Sequence, residues 1–111
     1  MLERGEVANT WKTERWDSLR LLTPNWQSRL PGHRYDGSDP DGFLRRDEVL
    51  GLLQAYARAA ECPVQTGVAV VRVRPAPEGY AVETNRGVWL TRAVVVATGA
   101  LALRAVDRFA D

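Results

Sequence analysis

The sequence predicts an α/β fold, and three observations carry that prediction. The run Ala93-Val94-Val95-Val96-Ala97-Thr98-Gly99-Ala100 places four consecutive apolar residues, Ala93 to Val96, before a Thr-Gly stop. Such a run needs burial on both faces, as a parallel-sheet strand has, and a glycine at its end lets backbone approach a ligand. From Asp47 to Ala60 the apolar positions Val49, Leu52, Leu53, Tyr56, Ala57 and Ala60 recur at helical spacing. Between these two elements, three short β-rich runs are separated by Pro/Gly and Asn-x-Gly turns. No G-x-G-x-x-G occurs in the chain, which opens at Met1-Leu2-Glu3 where a glycine-rich βαβ unit would already be complete. The predicted architecture is a partial Rossmann-like dinucleotide-binding domain with a three-stranded antiparallel meander, lacking the first βα unit.

The elements follow in order. Leu2 to Thr10 is short and ends in polar residues, which suits the last residues of a strand followed by a turn. From Trp11 to Phe43, Pro24, Pro31 and Pro40, three glycines and the cluster Asp36-Gly37-Ser38-Asp39-Pro40-Asp41-Gly42 forbid a long regular element. This loop of about thirty residues holds Trp11, Trp16, Trp26 and Tyr35, a composition unlike disorder, so it is expected to be ordered by packing. The helix that follows has Asp47 and Glu48 where its dipole favours negative charge, contains Gly51, and should end near Glu61 ahead of Pro63. The meander is expected at Val68 to Val73, Tyr80 to Glu83 and Val88 to Leu90. Val71 and Val73 alternate with Arg72 and Arg74, which predicts one wet face. The buried strand Ala93 to Ala97 comes next, and Leu101 to Asp111 reads as a helical tail.

Composition narrows the function classes. With 15 basic and 14 acidic residues the formal charge is +1, without the electrostatic footprint that nucleic acid or an anionic membrane surface demands. No stretch approaches the length needed to span a bilayer, and the N-terminus has no signal-like apolar core. A cytoplasmic protein without nucleic-acid or membrane partners is expected. Cys62 is the single cysteine, which excludes an internal disulfide; it is expected to be a small buried hydrophobe. His33 stands without a second metal-ligating residue beside it and reads as a solvated loop histidine.

Several local words then point in one direction: L-E-R-G at Leu2 to Gly5, N-T-W at Asn9 to Trp11, RWDSLRLLTP at Arg15 to Pro24, LPG at Leu30 to Gly32, the helix leading into Tyr56, and VVVATG at Val94 to Gly99. In order and spacing they resemble the first nucleotide-binding domain of FAD-dependent oxidoreductases of the flavin-containing monooxygenase-like family, over roughly residues 2 to 100. The resemblance implies a partial FAD-binding domain at 1–100 and a non-family tail at 101–111. It implies that Glu3, at the end of an apparent strand, accepts hydrogen bonds from the adenosine ribose; a lone carboxylate would otherwise be a surface Glu. Thr10 and Trp11 resemble the turn laid beside the flavin and its pyrophosphate, or else a turn threonine and a core tryptophan. Arg15 would pair with phosphate or with Asp17, Trp16 and Leu19 would line the flavin side, and Leu21 with Leu22 would anchor the loop; surface ion pairing and core packing are the plain alternatives. Val68 resembles the residue whose backbone N–H and C=O meet the adenine edge, or is simply a strand valine. Thr98 and Gly99 would close the cofactor site from the other side, the missing Cβ admitting the pyrophosphate or ribityl chain.

The departures from the family are as informative. The glycine-rich phosphate loop is absent, so the chain alone is expected to hold FAD poorly. The complete family also uses NADPH, for which no site can be assigned in this chain, and no catalytic residue is assigned. Two alternatives stand beside the flavoprotein reading. One is a non-enzymatic truncated α/β domain. The other is a calcium loop in which Asp39, Asp41, Gly42 and Glu48 take the third, fifth, sixth and twelfth places, although Gly37 holds the first place and Pro40 interrupts it.

Overall fold

The computed structural model describes residues 1–99, so the tail expected at 101–111 lies outside the described residues. The chain divides into two compact units, one formed by Met1 with Gly5–Val64, the other by Leu2–Arg4 with the residues from Gln65 onward.

The first unit contains α1 (Asn9–Thr13), a single 3-10 turn (Asn25–Gln27) and α2 (Arg46–Ala59). The sequence places the start of α2 one residue late, at Asp47, and its end near Glu61, two residues beyond Ala59. Its start is fixed by Glu48, whose carboxylate accepts the Arg45 N–H at 2.8 Å and so satisfies a donor at the helix start. That contact, with the Arg45 charge, holds the Glu48 carboxyl below the usual carboxylate range. Beyond Ala59 the chain turns at Glu61, which takes φ 48°. Val49 is buried, and Leu52, Leu53, Tyr56 and Ala57 are half-buried, so the apolar stripe is the inward face.

α1 falls where a turn was expected. Asn9 and Thr13 clasp each other one helical turn apart, the Thr13 hydroxyl donating to the Asn9 carbonyl at 3.0 Å. Lys12 reaches back to Glu6 at 2.7 Å, which lowers the Glu6 pKa, first through the hydrogen bond and then through charge. These side-chain clasps favour five helical residues that periodicity cannot reveal. The long loop is ordered, largely by backbone. Leu21 N–H donates to Leu44 O at 2.9 Å, Arg46 N–H to Leu19 O at 2.9 Å, Asn25 N–H to Gly42 O at 2.9 Å and Trp26 N–H to Pro40 O at 3.0 Å. Residues 19–26 thus lie along 40–46, and Leu19, Leu44 and Val49 are buried. The aromatic residues contribute less than their number suggests: Trp16 and Trp26 are exposed, and Leu22, expected as an anchor, is 97% exposed. Cys62 is exposed rather than buried.

The second unit is the meander β1 (Val70–Ala76), β2 (Gly79–Thr84) and β3 (Gly87–Thr91), antiparallel in the order β1-β2-β3. β1 continues through Pro75, where a turn was expected. It is an edge strand, and proline's missing N–H is tolerated there. The register sets Val73, Val82 and Trp89 in one row and Arg74, Ala81 and Leu90 in the next. The second face also carries the Arg74–Glu83 ion pair at 2.6 Å, which gives the wet face that the alternation predicts. Ala81 and Val82 are buried at the centre.

The strand expected at Ala93–Ala97 does not form. Residues 93–99 carry no regular structure, Val95 is 90% exposed and Val96 is 53% exposed. A parallel-sheet strand exists only through its neighbours' hydrogen bonds and the layers that cover its faces. Neither is provided by the described residues of this unit.

Candidate functional site

In the first unit, α1 delivers Trp11 and the turn after it delivers Arg15, whose guanidinium carbon lies 5.2 Å from the Trp11 ring centroid. At that distance the cation rests on the aromatic face. The Arg15 Nε is buried and has no hydrogen-bond acceptor. The partner expected for it, Asp17, pairs instead with Arg46, at 2.5 Å.

Arg46 organises this segment. Its Nη1 donates to the Arg15 carbonyl at 3.1 Å and to Asp17, and its Nε donates to Asp47 at 2.9 Å. Asp47 foremost, with Asp17, raises the Arg46 pKa against the opposing effect of partial burial. Sequence reading missed Arg46, because an arginine at the first turn of a helix gives no sign of partners 29 and 31 residues away. Thr10 is half-buried within α1 rather than in an open turn. Trp16 is 64% exposed, whereas Leu19 is buried in the unit's own core.

In the second unit, Leu2 pairs in parallel with Gln65, Glu3 N–H donates to Gln65 O at 2.9 Å, and Val68 N–H donates to Glu3 O at 3.0 Å. Glu3 and Val68 are therefore backbone neighbours. The Val68 N–H is committed to Glu3. Asn85, read from sequence only as a turn residue, holds the next residue: it accepts the Ala69 N–H on its side-chain oxygen at 2.9 Å and donates its own N–H to Ala69 O at 3.1 Å. Thr98 and Gly99 are exposed, and no atom lies within 4 Å of a Cβ built on Gly99, whose φ is 78°. That glycine is required by its backbone angle.

The calcium alternative loses its twelfth-place ligand to a structural duty. Glu48 caps α2, the Asp39 carboxylate packs against Gly42, and among the described residues no three His, Cys, Asp or Glu side chains gather as a metal-binding group. Among those residues, too, no helix is long and apolar enough to cross a membrane.

Solved structures place this architecture among flavoenzymes. The flavin-containing monooxygenase from Stenotrophomonas maltophilia superposes with a TM-score of 0.70 at 34% identity, covering 80% of this chain and 27% of that one. The bacillithiol disulfide reductase of Staphylococcus aureus superposes at 0.76 with 15% identity, a likeness of fold alone. Among curated sequences, a CzcO-like uncharacterized oxidoreductase of Geobacillus kaustophilus is 35% identical over 109 residues, or 98% of this chain and 31% of the relative. The uncharacterized oxidoreductase CzcO of Bacillus subtilis is 35% identical over 94 residues, 27% of its length. No family model matches the chain. Over most of its length the chain is similar to a flavin-containing monooxygenase and to CzcO-type oxidoreductases, and it spans less than a third of the length of these relatives.

Proposed function

We propose that this chain supplies part of the FAD site of a flavin-dependent oxidoreductase. The observation that carries the reading is Arg15. A buried guanidinium nitrogen without an acceptor costs about 1–3 kcal/mol, and a phosphate oxygen is the acceptor that suits a cation already held over an aromatic ring. The residues present fit the group on this ground. Arg15 holds the pyrophosphate charge, Trp11 packs along the cofactor with Thr10 beside it, and Trp16 offers an exposed indole to the flavin side. Arg46 fixes the Arg15 backbone while withholding Asp17, which would otherwise compete with phosphate for Arg15. Glu3 accepts from the ribose hydroxyls, the Val68 carbonyl meets the adenine edge, and Thr98 with Gly99 admits close approach of the cofactor chain. Bound flavin supplies the electron-accepting centre. NADPH belongs to the complete family, and no residue of this chain is assigned to it.

In this reading the meander and the segment at 93–99 belong to a Rossmann-like FAD-binding domain. The chain holds only a part of the cofactor site and retains FAD poorly alone.

The test substitutes residues 1–99 for the equivalent segment of the S. maltophilia monooxygenase and measures FAD per folded chain. Retention near one equivalent is expected, with at least a tenfold weaker affinity in Glu3→Ala and Arg15→Ala versions. A folded chimera devoid of FAD, or one indifferent to both substitutions, refutes the assignment.

A further inference from the structure

Residues 29–34 enclose an open depression of about 610 Å³, lined by Arg29, Leu30, Pro31, Gly32, His33 and Arg34. Its shape is set by the backbone and by α2. Leu30 and His33 exchange N–H···O bonds at 2.9 and 2.8 Å, a tight turn that Gly32 permits with φ 75°. Tyr56 of α2 donates its hydroxyl to Pro31 O at 2.8 Å and meets the His33 ring edge-on at 6.4 Å.

The electrostatics are one-sided. No carboxylate lines the depression, and among the described residues neither Arg29, His33 nor Arg34 takes part in an ion pair. Arg45 and Arg46, by contrast, are neutralised, Arg45 by Glu48 and Arg46 by Asp17 and Asp47. Two arginines without counter-ions, flanking a fixed turn, supply the positive charge and the N–H donors that a phosphate dianion accepts.

We propose that the Arg29–Arg34 loop is a phosphate-binding site, separate from the residues assigned to FAD and independent of that assignment. The two arginines grip the phosphate oxygens, His33 adds a ring N–H donor, and Leu30 with Pro31 offers an apolar wall to whatever the phosphate carries. The volume admits a group larger than phosphate itself. The site therefore takes free phosphate or a phosphate monoester.

The test titrates the ¹⁵N-labelled chain at low ionic strength with inorganic phosphate, adenosine monophosphate and adenosine, following the amide signals of Gly32, His33 and Arg34. Saturable shifts are expected with the two phosphate probes and none with adenosine. Tighter binding of the monophosphate identifies a monoester as the source, and equal binding identifies the free ion; both uphold the site. Arg29→Gln and Arg34→Gln should each weaken binding about tenfold. Both arginines are exposed, so the variants keep the far-UV spectrum of the parent. Absence of saturable shifts with either phosphate probe, equal shifts with adenosine, or shifts that persist unchanged in the double variant would overturn the proposal.

Discussion

Gly79 and Gly87 separate two reasons for requiring glycine, and substituting each by alanine measures them one at a time. Gly79 opens β2 with φ 139°, and Gly87 opens β3 with φ 111°; both angles are strained for any side chain. At Gly87 a Cβ meets nothing within 4 Å, so Gly87→Ala carries the backbone cost alone, about 1–3 kcal/mol. At Gly79 the same atom would overlap the Thr91 carbonyl oxygen and lie 2.8 Å from Arg92 Cα. These are backbone atoms of the neighbouring strand and cannot rotate away. Relief requires β2 and β3 to part at the Tyr80–Thr91 end of the ladder, which forfeits one or two hydrogen bonds at about 1 kcal/mol each. Gly79→Ala should therefore destabilise the meander by about 2 kcal/mol more than Gly87→Ala. Urea unfolding, with amide exchange in β2 and β3 reporting this unit, reads the difference. Two variants within about 0.5 kcal/mol of each other would refute the clash.

Three further outcomes follow from the first unit. Gly51 lies mid-helix with open space around its Cβ position, so Gly51→Ala should stabilise α2 by about 0.5–1 kcal/mol, seen as a higher urea midpoint. Glu48 has a folded pKa below its ordinary 4.5; its contribution is complete above that value and fades as pH falls through the folded pKa. Acid unfolding of α2 followed by circular dichroism should thus lose its dependence on this group in Glu48→Gln, which is less stable at neutral pH and parallel to the parent at low pH. Asp17→Asn removes a charge from Arg46 but leaves the Arg46 bond to the Arg15 carbonyl. Because the Asp17 side chain is 93% exposed, the stability change should stay under about 1 kcal/mol by thermal unfolding.

The elements whose cause is local were legible in the sequence. α2 announces itself through Val49, Leu52, Leu53 and Tyr56 and through Glu48 at its start, and the meander through the Val/Arg alternation of β1 and the turn at Asn85. What was hidden depends on partners far along the chain. Nothing near Arg46 reveals that it holds the Arg15 carbonyl and Asp17, and nothing near Leu19 reveals that it is buried with its carbonyl bonded to the Arg46 N–H. Leu19 and Trp16 look alike as apolar loop residues, yet the turn that bonds Leu19 N–H to Trp16 O at 3.2 Å leaves one in the core and the other in water. The local words mark candidate residues, while long-range packing decides which of them are buried and which exposed.

The segment Ala93–Ala97 sharpens that distinction. Its sequence encodes burial, since four apolar residues in succession have no polar face to offer solvent. Its environment among the described residues offers no pairing, and Val95 and Val96 stand in water. An exposed valine forgoes about 1.5–3 kcal/mol relative to full burial, so the two together represent several kcal/mol of unrealised stabilisation. That free energy is available to whatever sheet completes the segment. A pattern written for the interior of a parallel sheet thus stands without the pairing it encodes among the described residues.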